Sequence, residues 1–233
     1  MKNFKAGLRA GIPIGLGYLS VSFTFGILAV SYGFYWWQAL IISMTTLTSA
    51  GQLAGIGIML SPGQYIDMLI SQLTINVRYS FMSVSLSQKV TNDFRGIRRW
   101  LLGFFITDEI FAVASSRNEV STSFFAGLSV FPYIGWTLGT LLGSLLGSIL
   151  PEIVMSALCI AIYGMFVAII APKTATSFPM LTVVLVSVGL SCLFFYVPVL
   201  NKLSSGLSIS VCAITAAVFG ALFFPVKEDQ SNE

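Results

Sequence analysis

The sequence predicts an all-α, polytopic helical membrane protein with about seven crossings plus one broken or re-entrant segment. Three observations carry that expectation. Only 9% of the 233 residues are charged and 56% are hydrophobic, against roughly 25% charged in an ordinary soluble domain. Apolar blocks of about 20 residues, each long enough to span a hydrocarbon core of about 30 Å, recur from residue 10 to residue 224. Lysine and arginine gather at the amino terminus and in the loop holding Lys89, Arg95, Arg98 and Arg99, as cytoplasmic segments do.

Eight apolar segments can be marked, at about 10–31, 36–60, 64–87, 100–116, 124–150, 153–171, 178–198 and 203–224. The first follows a basic head of Lys2, Lys5 and Arg9, and its apolar run is too long for a signal-peptide core, so it reads as an uncleaved span. In the second, Thr45, Thr46, Thr48, Ser49, Gly51, Gln52, Gly55 and Gly57 make the middle polar and flexible. It reads either as a broken or re-entrant helix or as an ordinary span whose small residues admit a neighbour. Eight full crossings put the basic loop 89–99 outside. Seven, with the second segment broken, put eight loop and tail cations inside (Lys2, Lys5, Arg9, Lys89, Arg95, Arg98, Arg99, Lys202) and three outside (Arg117, Lys173, Lys227), which the charge bias favours. The fifth segment carries Gly135, Gly139, Gly143 and Gly147 at four-residue spacing, a helix face without side chains that lets another helix approach closely. No stretch is left for a separate soluble domain, so residues 1–233 read as one integral membrane domain.

Composition excludes several chemistries. With no histidine, and with Cys159, Cys192 and Cys212 scattered through apolar spans, zinc, haem and iron–sulfur sites lack their usual ligands, and no metal or other cofactor is expected. No basic stripe interleaved with aromatics offers itself to nucleic acid. There is no GxSxG elbow, HExxH or phosphate-cradling glycine loop, so the chain is not expected to be an enzyme.

The charges inside apolar segments are the informative residues. Asp67, Arg78, Asp108 and Glu109 lie there, with Asn76 two residues before Arg78. An ionised group in hydrocarbon is costly, so such residues pair, face a protein-lined cavity, or mark a solute path. A guanidinium stays charged at any physiological pH, so Arg78 needs a carboxylate, Asp108 or Glu109. Adjacent helical positions point about 100° apart, and only one of the two is expected to meet it. Gly51, Gln52, Asn76, Arg78, Asp108 and Glu109 are the candidate substrate-binding or gating residues. In the absence of histidine, Asp67, Asp108 and Glu109 are the candidates for proton coupling.

Four stretches, GIPIGLGYLSVSFTFGILAV, TSAGQLAGIGIML, INVRYSFMSVSL and TDEIFAVA, together resemble the AzlC family, the large subunit of branched-chain amino acid exporters. The likeness covers about the first half of the chain. Its motifs fall on Ser49, Ala50, Gly51 and Gln52, on Asn76 and Arg78, and on Thr107, Asp108, Glu109, Phe111 and Ala112. The chain departs from the family pattern at Leu53 and Tyr79, where aromatic and histidine residues are common. The resemblance implies export of leucine, isoleucine and valine from bacterial cells, a multi-pass location in the cytoplasmic (inner) membrane, and a small hydrophobic partner subunit of the AzlD type.

The leading expectation is therefore the large subunit of a secondary exporter of branched-chain and related apolar amino acids, embedded in the lipid bilayer. The alternative is a membrane scaffold or assembly protein whose buried ion pairs only fix helix register.

Overall fold

Bare helix faces decide how the first half of the chain packs. In the computed structural model, residues 2–60, 65–147, 174–198 and 205–224 are described, with isolated positions at 151, 153, 167, 171, 200 and 203. The expected segment 153–171 with Cys159, and Lys173, Lys202 and Lys227, lie outside the described residues or on positions whose side chains are not described. The chain divides into two compact units, residues 1–56 with 76–162, and residues 57–75 with 163–233. The described elements are all helical. They comprise α1 (Lys2–Ser31), α2 (Trp36–Thr45), α3 (Ser49–Met59), α4 (Tyr65–Ser87), α5 (Ile97–Gly103), α6 (Asp108–Ser115), α7 (Thr122–Leu146), α8 (Phe178–Tyr196) and α9 (Ser205–Phe223). Three of them, α1, α7 and α8, are both long and apolar enough to cross a membrane.

In the first unit, α1 and α7 run parallel and touch along their length. A Cβ on Gly11 would stand 2.5 Å from the Leu128 carbonyl oxygen, and one on Gly15 2.6 Å from that of Phe131. Cβ atoms on Gly135, Gly139 and Gly143 would overlap the carbonyl oxygens of Gly15, Leu19 and Phe23. The glycine stripe expected to receive a close neighbour thus receives α1 of the same chain. Pro132 is buried inside α7 and withholds the amide that the Leu128 carbonyl would otherwise accept; bare Gly11 backs onto that oxygen.

The segment 36–60 is broken. Phe34 donates its amide to the Ala29 carbonyl at 3.1 Å, and Gly33 takes φ +92° to turn the chain out of α1. Then α2 departs, and the Gln38 side chain reaches back over its start to accept from Tyr35 N–H at 2.8 Å. At ten residues α2 is about 15 Å long, half a hydrocarbon core. It stops at Thr46, which is extended (φ −137°, ψ 134°). Helix α3 then comes back, because Leu53 and Ile56 join Ala39, Ile42, Phe25 and Ala29 in one apolar cluster near the carboxyl end of α1. This is a helical hairpin that begins and ends at one end of α1. Tyr32, Tyr35, Trp36 and Trp37 are exposed at that end, where amphipathic rings meet the headgroup level.

The segment 100–116, expected as a full crossing, is also broken, and that expectation is corrected here. It consists of the seven-residue α5 and the eight-residue α6, each about 10–12 Å long and too short to span. Both ends of this hairpin lie at the amino end of α1. Phe94, just before α5, stacks edge-on against Phe125 at 5.5 Å. The last turn of α6 ends on the Lys89 ammonium, which donates to the Ser115 carbonyl at 2.6 Å, a cation on a helix carboxyl terminus. Val120 and Val90 form a parallel bridge, and Asn3 donates to Ser121 Oγ at 3.3 Å. In the same loop the Thr91 hydroxyl, with Thr122, holds the exposed Asp93 carboxyl below the usual carboxylate range. Helix α4 ends here too, with Leu86 in the cluster of Phe94, Ile110, Phe124 and Phe125, so it runs antiparallel to α1.

In the second unit, α8 and α9 pack with Val183 against Gly220. Cys192 is free and exposed, Cys212 free and buried.

Candidate functional site

The two hairpins enter from opposite ends of α1 and their tips reach one side chain of α7. The Tyr133 hydroxyl donates to the Met44 carbonyl at 3.2 Å, at the end of α2. The same ring lies 5.4 Å from that of Phe105 and 6.2 Å from that of Phe104, at the tip between α5 and α6. A half-helix ends where its carbonyls lose their partners, and a returning half-helix begins where its amides do. Each tip therefore gathers a negative and a positive helix end in one place.

Threonine caps both returning helices. At the first tip, Gly51 N–H points at Thr48 Oγ1 (3.3 Å), and the Thr48 hydroxyl donates to Asn76 Oδ1 on α4 at 2.8 Å. Gln52, 3% exposed, closes the break from inside. Its amide donates to Ser43 Oγ (3.2 Å), the Thr46 carbonyl (3.2 Å) and Thr46 Oγ1 (3.0 Å), and Ser43 hydrogen-bonds Thr140 of α7 at 2.7 Å. The Thr46 carbonyl can only accept, so it fixes which end of the Gln52 amide faces it. Among the described residues Gln52 Oε1, buried, has no partner.

At the second tip Thr107 is the cap, its Oγ1 accepting from Ile110 N–H at 3.4 Å. Asp108 and Glu109 fill the first turn of α6, where the helix dipole favours acids. The structure separates them. Asp108 Oδ2 meets Arg78 Nη1 at 2.7 Å. Glu109 accepts from the Tyr18 hydroxyl of α1, which also hydrogen-bonds Thr107 Oγ1 at 2.7 Å. Tyr18 itself is held edge-on by Trp136 of α7, with ring centroids 5.2 Å apart. Arg78 stacks over the Tyr79 ring at 5.0 Å, and its buried Nε has no partner among the described residues.

Of the residues singled out from sequence, Gly51, Gln52 and Asn76 gather at the first tip and Arg78, Asp108 and Glu109 at the second. Asn76 and Arg78 sit at the middle of α4, where that helix touches both. Asp67 lies in the first turn of α4, eleven residues or about 16 Å from Arg78 along the helix, where an acid suits the dipole. Sequence reasoning missed Tyr18, Ser43, Tyr133 and Thr140. Each is an isolated hydroxyl in an apolar run, a pattern shared by many residues that only bond their own helix.

The Ser43 junction yields a direct expectation. Ser43→Ala strands the buried Thr140 hydroxyl and leaves the Gln52 amide only its two Thr46 acceptors, whereas Thr140→Val leaves Ser43 bonded to Gln52. Ser43→Ala is expected to cost about 1–3 kcal/mol and Thr140→Val less, read as midpoint shifts in thermal unfolding of detergent-solubilised protein.

The AzlC protein family matches residues 13–150, the stretch from α1 through both hairpins to the end of α7. A protein of Archaeoglobus fulgidus described as an uncharacterized membrane protein is 33% identical over 178 residues, covering 73% of this chain and 75% of that one. A Helicobacter pylori protein of the same description is 28% identical, covering 60% of this chain and 63% of its own length. The inner membrane protein YgaZ of Escherichia coli is 26% identical over 60% of this chain and 59% of its own. No solved structure matches. The family match takes in both hairpins and every residue of the two tips, and the relatives it agrees with are themselves named membrane proteins: this chain belongs to the AzlC family.

Proposed function

We propose that the protein is the large subunit of a secondary transporter that exports branched-chain and related apolar amino acids from the bacterial cytoplasm, with a small AzlD-type membrane subunit as its partner. The observation that carries this is the Arg78–Asp108 pair. It lies where two half-helix hairpins from opposite ends converge, yet its side chains are 42% and 48% exposed. Charges half open at the middle of membrane-embedded helices need a wet, protein-lined cavity. Irregular backbone at that depth needs one too, and broken helices around a central site are a transporter arrangement.

The chemistry suits a zwitterion. A solute carboxylate takes the place of Asp108 on the Arg78 fork, which pairs carboxylates with two parallel bonds. Asp108, so released, takes the solute ammonium together with the carbonyls that end α2 and α5. Phe104 and Phe105 supply an apolar wall for a branched side chain. Cells lacking the protein are expected to accumulate leucine, isoleucine or valine when fed dipeptides that contain them; unchanged efflux of all three would sink the reading.

The whole chain works, in this proposal, as one transport domain in the inner membrane, with six crossings and two hairpins in place of seven and one. The crossings are α1, α4, α7, α8 and α9, and the sequence-expected apolar segment 153–171 is counted with them. Ten cations then lie inside (Lys2, Lys5, Arg9, Lys89, Arg95, Arg98, Arg99, Arg117, Lys173, Lys227) and Lys202 alone outside, a stronger charge bias than seven crossings give. The arrangements differ at Asn118. In a protein with Cys159, Cys192 and Cys212 replaced by serine, single cysteines at Asn92 and Asn118 are expected to react with a membrane-impermeant maleimide only after permeabilisation, and one at Tyr35 in intact cells. Labelling of the Asn118 position from outside would restore the crossing at 100–116.

A further inference from the structure

We propose that Glu109 binds the coupling proton and that Asp108 does not, an inference that rests on the transport reading above. The two neighbouring acids have opposite kinds of partner. Asp108 is held by a guanidinium, a permanent cation, at 2.7 Å, and when the solute displaces it from Arg78 it meets a second cation, the solute ammonium. Glu109, itself partly buried, is held by the Tyr18 hydroxyl, which is bonded to the Thr107 hydroxyl at 2.7 Å; Tyr18 is 9% and Thr107 2% exposed.

Hydroxyls donate or accept as required, so this chain of three oxygens suits either protonation state without moving a heavy atom. With Glu109 ionised, Tyr18 donates to the carboxylate and Thr107 donates to the Tyr18 oxygen. With Glu109 protonated, the acid donates to Tyr18, and Tyr18 donates to Thr107 Oγ1, whose own proton rotates away from Tyr18. The proton arrives from water on one side as an O–H bond to a carboxylate oxygen and leaves to water on the other, with no other bond made or broken. Thr107 also caps α6, and Tyr18 belongs to α1, so the relay joins the second hairpin tip to the α1–α7 pair. Protonation is thereby read at a contact between a half-helix and the fixed helices.

The other titratable groups at this level are accounted for. Arg78 of α4 is taken by Asp108, and Tyr79 stacks beneath the Arg78 guanidinium. From α7 come Tyr133, whose hydroxyl is on the Met44 carbonyl, and the non-titrating Trp136 ring behind Tyr18. Helices α2 and α3 contain no acid or base.

The test uses inside-out membrane vesicles from cells expressing the full chain with its neighbouring subunit, and radiolabelled leucine. For one proton per solute, a lumen one pH unit more acidic raises steady-state accumulation about tenfold over vesicles without a gradient. In Glu109→Gln that ratio is expected to fall to one, while Asp108→Asn, in whatever leucine it still moves, keeps it. Tyr18→Phe, which retains the carboxylate and the ring packing, is the second variant and is expected to lower the ratio at unchanged leucine affinity. A tenfold ratio persisting in Glu109→Gln, or a full ratio in Tyr18→Phe, overturns the proposal and leaves transport standing. Absence of leucine exchange in wild-type vesicles without any gradient overturns the transport reading itself.

Discussion

Replacing Arg78 by glutamine is expected to lower branched-chain amino acid efflux by at least about tenfold to a hundredfold per molecule of folded protein, the scale of one charge-assisted, forked contact to a solute carboxylate. The pair's own contribution to stability is small, because both side chains are nearly half exposed and open ion pairs are screened. Arg78→Lys keeps the charge and loses the planar fork, so it is expected to raise KM with little change in protein level. The double variant Arg78→Gln with Asp108→Asn separates a recognition role from a register role. If the pair only holds α4 against α6, removing both charges restores whatever the single change lost. If Arg78 meets the solute, abundance recovers and transport does not. The measurement is initial efflux rate normalised to membrane-inserted protein, and recovery of rate in the double variant would remove Arg78 from the solute path.

The charged site was legible because burial of charge is conspicuous in an apolar chain. Arg78, Asp108, Glu109, Asn76 and Gln52 were all picked out by polarity where hydrocarbon was expected. The break at Thr46–Thr48 was legible as an option for the same reason, since three threonines, a serine and glycines interrupt the run. The break before Asp108 was not. LLGFFITDEIFAVA reads as an apolar stretch with two acids, and what divides it is Thr107 acting as an N-cap and Tyr18 of the distant α1 holding that cap. An N-cap threonine looks like any other threonine until the helix start is seen, and a tertiary contact leaves no mark on local periodicity. The glycine stripe announced close packing and left its partner open: Gly7, Gly11 and Gly15 of α1 repeat the same four-residue spacing, but a periodicity marks a bare helix face without saying which other face it meets.

Gly143→Leu is expected to prevent the first unit from assembling, and the effect should vanish one helix face away. A methyl added at Gly143 already overlaps the Phe23 carbonyl oxygen, and one at Gly139 overlaps the Leu19 carbonyl and the Ser22 hydroxyl. These neighbours are largely backbone, so a new side chain cannot be accommodated by a rotamer change and the helices must part. Overpacking of an ordinary core costs about 1–3 kcal/mol; here a whole isobutyl group meets main chain, and the loss should exceed that range. Gly17, by contrast, lies on α1 with nothing within 4 Å of where its Cβ would stand. Gly17→Ala should therefore be neutral, or stabilise the helix by about 0.5–1 kcal/mol. Function follows the same interface, because α1 brings Tyr18 and α7 brings Tyr133 and Thr140 to the hairpin tips. A small forced separation, as in Gly139→Ala, is expected to reduce transport in protein that still inserts, ahead of any loss of abundance. Equal tolerance of bulky residues at positions 17 and 143, judged by monodispersity after detergent extraction and by leucine efflux, would mean that α1 and α7 are not packed against each other in the membrane.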